Sequence, residues 1–247
     1  MCGKKPWHLQ LLLWSFFMIR IASAQNSPGE GLGSPLKDSY PVQLYFKAVG
    51  ENAHVYNGYE YRTTDKSILG SPYFLSDAMV PITLSYDEGY YQNIPAIFDL
   101  VLDLVVINRL DQNFMISLIP EKLSAFTMQN HHFIRVTKDS LRGINLATGF
   151  YERLYDGKST VLVKHKKIII DQMLYGISTL TYGDENIYYV RFSGVYVPVH
   201  GKSSVLNLFK SKKSEIKTFI RRNKLNLKSE FEKTLVAVSA YYDQLPS

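Results

Sequence analysis

The apolar positions of this chain fall into three successive regimes. Residues 9–19 are an apolar run broken only by Gln10 and Ser15. From residue 42 to 200, short stretches rich in tyrosine and β-branched residues alternate with turn residues, which is the pattern of strands. After Gly201 the period lengthens. Ile216, Phe219 and Ile220 recur at helical spacing, and Phe231, Leu235, Val238, Tyr242 and Leu245 make one apolar stripe.

The first regime predicts a signal peptide over residues 1–24. Lys4 and Lys5 precede the apolar run, and the small residues Ala22-Ser23-Ala24 follow it at peptidase spacing. The run is about half of the roughly 20 residues that cross a bilayer, so a permanent span is not expected. Cleavage after Ala24 would remove Trp7, Trp14 and Cys2, which are both tryptophans and the only cysteine of the 247 residues. The exported protein would then hold no disulfide. It has Gln25 where a lipoprotein needs cysteine, so a soluble product is expected. Residues 25–41 carry Ser27-Pro28-Gly29, Gly31, Gly33-Ser34-Pro35 and Pro41, a flexible leader to a single domain over 42–247. The expected location is the periplasm or the outside of the cell.

The second regime predicts about ten strands. Asn57-Gly58 and Asp156-Gly157 are each expected to close a two-residue hairpin, because their turn positions tolerate positive φ. In the second hairpin Tyr151, Arg153 and Tyr155 are expected on one face and Phe150, Glu152 and Leu154 on the other. Further strands are expected at 80–86 and 90–98 around Asp87-Glu88-Gly89, then at 100–108, 114–119, 132–136 and 168–170. Two more, at 186–192 and 195–200, are joined by Ser193-Gly194. Tight turns leave no room for helical crossovers, so the fold class is mainly β: an antiparallel meander forming an open barrel or curved sheet, with two small separate sheets as the alternative. Pro95 puts the pairing of its strand in question. The third regime predicts a C-terminal helical hairpin over about 203–245. Asn223 is expected to end one helix in the left-handed region, and Ser229 and Glu232 to cap the next as a capping box.

Charge refines this picture. The expected signal holds three of the 28 basic residues and none of the 22 acidic ones, so the remainder is only weakly basic. Residues 202–247 hold ten basic and four acidic residues, while 25–201 are mildly acidic. The basic helices fit anionic lipid headgroups, or a solvated helix face, which is the commoner cause of such runs. Nucleic acid is not expected, since the helices lack an aromatic and basic platform.

No catalytic motif stands out: there is no Gly-x-Ser-x-Gly elbow, phosphate loop or His-Glu-x-x-His helix. His131 and His132 are adjacent in a strand and point to opposite faces, so no shared metal is expected. His54, His165 and His200 are read as structural. Asp87, Glu88, Asp99 and Asp103 crowd two turns, where a pair of them could do acid–base work or hold calcium, and turn geometry explains them as well. No cofactor is expected. Eighteen tyrosines make a binding face plausible, and Tyr151, Arg153 and Tyr155 are its candidate residues, with cross-strand packing as the alternative.

Phe150-Tyr151-Glu152-Arg153-Leu154-Tyr155-Asp156-Gly157, the basic run Lys164-His165-Lys166-Lys167, Ile216-Lys217-Thr218-Phe219-Ile220, Tyr241-Tyr242 and Tyr56-Asn57-Gly58-Tyr59-Glu60-Tyr61 together resemble a group of exported β-rich proteins of Gram-negative bacteria. The resemblance implies an exported β-rich architecture and assigns no functional residue. The expected function is a non-catalytic binding module at the cell envelope, with another envelope protein or a glycan as partner. The alternatives are a hydrolase of envelope polymers using paired carboxylates, and a peripheral membrane-surface protein acting through its basic helices.

Overall fold

The computed structural model describes residues 54–62, 67–109, 114–139 and 145–246. The expected signal peptide, the leader and the expected start of the body at Val42 lie outside the described residues.

Among the described residues, eleven strands form one antiparallel sheet: β1 Gly58–Glu60, β2 Val80–Tyr86, β3 Gly89–Asp99, β4 Leu104–Asn108, β5 Met115–Leu118, β6 Leu123–Met128, β7 His131–Val136, β8 Gly149–Asp156, β9 Thr160–Leu174, β10 Ile177–Phe192 and β11 Val195–Val199. Their order is β1-β5-β4-β3-β2-β6-β7-β8-β9-β10-β11. The sheet is curved and open, and it is one sheet, not two. The meander holds except that β1 pairs with β5 and that β6 returns to the free side of β2. Three helices follow: α1 Lys202–Leu208, α2 Lys213–Arg222 and α3 Phe231–Gln244.

Two-residue turns join three of the hairpins. Asp87-Glu88, Tyr175-Gly176 and Ser193-Gly194 all have positive φ at both positions, which matches the right-handed twist of the flanking strands. The two turns expected from Asn-Gly and Asp-Gly are different. Asn57 follows a 3-10 turn, His54–Tyr56, and Gly58 opens β1, which pairs with β5. A Cβ at Gly58 would collide with the Ser117 carbonyl, so close strand approach, not a turn, requires this glycine. Gly157 belongs to a three-residue loop closed by the Asp156–Thr160 pair, with its N–H donating to the Ser159 carbonyl at 2.8 Å. Its φ lies outside the left-handed region; its missing Cβ makes room for the Tyr155 hydroxyl and the Asp243 carboxylate.

Pro95 stands opposite Pro81, so neither strand asks its proline for an amide hydrogen. Strand β6 was not expected from the sequence, because Leu123 and Phe126 share a face only through a bulge opposite Ser85 and Tyr86. The segments expected at 168–170 and 186–192 belong to one long hairpin, β9–β10, whose outer half projects beyond β8.

The curve of β2 to β8 encloses the main core. Phe126 and Phe133 stack with centroids 4.7 Å apart, and Phe98 meets both edge-on at 5.2 Å. The helices cover the other end of the sheet. Leu235 and Val238 of α3 are fully buried with Val161, Val190 and Val199, and Phe231 packs edge-on against Tyr188 at 5.0 Å. The expected stripe of α3 therefore faces the sheet. Its capping differs from expectation. Asn226, not Ser229, accepts the N–H groups of Lys228 and Ser229, and α3 starts after Glu230 without a side-chain cap. After α2 the left-handed residue is Lys224, with Asn223 at φ −92°.

Candidate functional site

The chemistry of this protein concentrates where β7, β8 and β9 lie side by side. Pairing sets Glu152 opposite Phe133 on one side and Val163 on the other. His131 and His165 are then its diagonal neighbours, each two residues from the paired position, on the same face of the sheet. Both reach it. His131 Nδ1 lies 2.7 Å from Glu152 Oε1, and His165 Nε2 lies 2.6 Å from Glu152 Oε2. Asn186 Oδ1 stands 3.0 Å from the other ring nitrogen of His165 and clamps that imidazole from its far side.

The carboxylate is 5% exposed. Burial pushes its pKa up, and the hydrogen bonds and charges of His165 and His131 outweigh that, holding Glu152 below the ordinary carboxylate range. Phe74 presses on both imidazoles, with its centroid 5.0 Å from each. The loop carrying Phe74 is fixed to the end of β3: Phe74 N–H donates to the Phe98 carbonyl at 2.8 Å, and Leu100 N–H to the Pro72 carbonyl at 2.9 Å. Ser71 donates to Asp77 within the same loop.

In front of the two imidazoles lies an open cavity of about 520 Å³. Its floor is His131, His165 and Phe74; Asp77, Asn186 and the Lys167–Asp184 ion pair, 2.7 Å long, stand around it. The arrangement offers acceptors, donors and an apolar wall within one small-molecule volume. Among the described residues no group of three His, Cys, Asp or Glu side chains is arranged to hold a metal.

The residues expected from the sequence lie elsewhere. Tyr151 is buried at 2% exposure, donates its hydroxyl to the Ala147 carbonyl and meets Tyr189 edge-on. Arg153 pairs with Asp156 at 3.0 Å. A bulge between Arg153 and Tyr155 brings Tyr155 opposite Val161, onto the helix-covered face, where its hydroxyl donates to Asp243 at 3.1 Å. Tyr151 and Tyr155 therefore occupy opposite faces, and the shared face expected for them does not form.

The four carboxylates singled out in the sequence are also dispersed. Asp87 binds Lys122 and His54 in its turn. Buried Asp99 accepts the Tyr61 hydroxyl at 2.7 Å and the N–H groups of Val101 and Leu102. Asp103 pairs at 2.6 Å with Lys164, itself 7% exposed and also bonded to the Phe150 carbonyl. Glu88 is exposed at left-handed φ. His131 and His132 do point to opposite faces: His132 bonds Thr127, and burial, with the charge of Arg153, holds its pKa down. His165, taken as isolated, is half of the bridged pair.

No helix among the described residues is long and apolar enough to cross a membrane. No family model, curated protein or solved structure matches the chain.

Proposed function

We propose that this protein is an exported, non-catalytic binding module of the cell envelope, and that the cavity over His131 and His165 receives a hydroxyl-rich ligand of the glycan class. One observation carries the reading: a buried carboxylate, Glu152, fixes two imidazoles at the floor of an open cavity. Fixed in this way, both rings present a flat surface at low entropic cost, and His131 keeps its Nε2 outside the Glu152 bridge. Asn186, Asp77 and the Lys167–Asp184 pair place donors and acceptors around the cavity, above the largely buried ring of Phe74. Export rests on the pattern of residues 1–24.

A binding role is favoured over polymer hydrolysis by the state of the carboxylates. Acid catalysis by a carboxyl needs its pKa raised, so that it still holds a proton near neutral pH. Asp87 and Glu152 are shifted the other way, and both oxygens of Glu152 are already engaged by imidazoles. The membrane-surface reading draws less support, because the apolar stripe of α3 is used against the sheet.

The test is calorimetric titration of the purified protein with solubilised envelope glycan fragments. Asn186→Ala and Phe74→Ser should each weaken binding while leaving the Tm of the Asn186 variant near that of the parent. Binding untouched by both substitutions refutes the site. Release of shortened fragments during the titration would establish the hydrolase instead. Export is tested by mass: protein from a secreting host should begin at Gln25, and a retained N-terminus refutes it.

A further inference from the structure

A second open cavity, of about 500 Å³, lies beside the C-terminal helices and shares no residue with the one over His131 and His165. It forms where four pieces of chain converge: the loop before β9, the turn between β10 and β11, the 3-10 turn Lys210–Lys212 and the end of α3. The buried contacts of Leu235 and Val238 hold α3 in that place, so the cavity belongs to the packed fold. Its walls are of two kinds. Phe192 and Tyr242, with ring centroids 5.7 Å apart, give an apolar side together with Leu245 and Pro246. Lys158, Lys212, Arg191, Ser193 and Ser211 line the rest.

The polar side is unbalanced in charge. Alternation along β10 puts Phe192 on the helix side and starts Arg191 from the other face, which leaves Lys158 and Lys212 as the principal cations. Neither lysine forms an ion pair among the described residues, whereas Lys122, Lys164 and Lys167 are each matched to an aspartate. The carboxylate in the lining is already engaged: Asp243 Oδ2 accepts the Tyr155 hydroxyl at 3.1 Å and the Ser159 N–H at 2.8 Å. Ser159 also lines the cavity, at 3% exposure, and its hydroxyl has no hydrogen-bond partner among the described residues. Buried hydroxyls are normally partnered, and an acceptor entering the cavity supplies what this one lacks. Cations gathered around a concave surface also raise the local concentration of an anion.

We propose that this cavity is a second binding site, which takes a phosphate monoester with its phosphate at Lys158 and Lys212 and its organic part against Phe192 and Tyr242. Lysine meets phosphate as a point charge, without the flat fork by which arginine pairs with a carboxylate. The three terminal oxygens of a monoester give the two lysines and the serine hydroxyls separate acceptors. A dianion also matches the excess of lysine charge, which a neutral sugar does not. The volume suits a small organic molecule. Soluble esters and phosphatidic acid headgroups both carry this group, and the two arms of the test separate them.

The first arm is calorimetric titration of the full chain with phenyl phosphate, and with inorganic phosphate and phenol as the two halves of that probe. Phenyl phosphate should bind more tightly than either half, and its Kd should rise with salt as the lysine contacts are screened. Lys158→Gln/Lys212→Gln should raise that Kd at least about tenfold. Lys217→Gln/Lys224→Gln removes the same charge from exposed positions outside the cavity and should leave it unchanged. Circular dichroism verifies both folds. Should the first pair not fold, Ser211→Glu, at an exposed position in the lining, sets a negative charge against the phosphate and should weaken binding as much. Asn186→Ala, which tests the glycan cavity, should leave phosphate binding unchanged, so the two sites stand or fall separately. The second arm is flotation with phosphatidylcholine vesicles that contain phosphatidic acid. Binding to these alone, lost in the Lys158 and Lys212 variant and kept in the Lys217 and Lys224 variant, assigns the site to a lipid headgroup. No binding of either probe, or equal loss in both lysine pairs, overturns the proposal.

Discussion

Replacing Leu235 with alanine tests the part of the fold on which the reading of the basic helices turns. Leu235 is 0% exposed, in contact with the cluster that contains Val161, Val190, Val199, Val205, Ile216 and Val238. The substitution removes about three methylene equivalents, worth about 0.8 kcal/mol each on transfer alone. A cavity that the rigid valine-lined strands cannot close adds about 24 cal/mol for every Å³ left empty. The expected loss is therefore about 3–5 kcal/mol. A domain of this size loses about 2–4 °C per kcal/mol, so the Tm should fall by roughly 6–20 °C. Leu102, 48% exposed in the turn before β4, is the matched control, and Leu102→Ala should stay within about 0.5 kcal/mol of the parent. Urea titration followed by circular dichroism gives both values. An unchanged Tm for Leu235→Ala, together with lost affinity for anionic vesicles, would refute the packing argument and place the stripe on a membrane.

Gly157→Ala should destabilise through crowding of the Tyr155 hydroxyl and Asp243, so the same change made on a Tyr155→Phe background should cost measurably less; equal costs in this double-mutant cycle would refute the steric account. Asp103→Asn leaves Lys164 buried without its counter-charge and should cost about 3 kcal/mol by denaturant titration, most of it recovered in Asp103→Asn/Lys164→Met; no recovery would show that the pair is not the cause. Glu152 is held below its ordinary value of 4.5, so its contribution to stability is complete above about pH 4.5 and lost as pH falls through the lower folded value. The Tm advantage of the parent over Glu152→Gln should therefore shrink across that acid window, and a constant difference would refute the charged bridge.

Much of the sheet was legible because its turns carry their own chemistry. Asp87-Glu88-Gly89 and Ser193-Gly194 act locally, through positive φ, and they formed as expected. The Asn57-Gly58 and Asp156-Gly157 signals misled because a glycine satisfies two needs that look alike in sequence. It allows left-handed backbone, and it removes a Cβ from a crowded place; here the second need ruled. The candidate site was not legible. Nothing in the spacing of residues 131, 152 and 165 marks them as a group, and the face expected for Tyr151 and Tyr155 was lost to a single bulge.

By itself the sequence determined the class of fold, the helices at the end and the face of α3 that is buried, since periods of two and of 3.6 residues are properties of the local chain. Tertiary structure alone decided which strands are neighbours and in what register. Register depends on how whole strands share a core, and one residue of slip exchanges the faces. That is why the meeting of His131, Glu152 and His165, and the exposure of the outer half of the β9–β10 hairpin, whose residues read as ordinary strand, belong to the folded molecule.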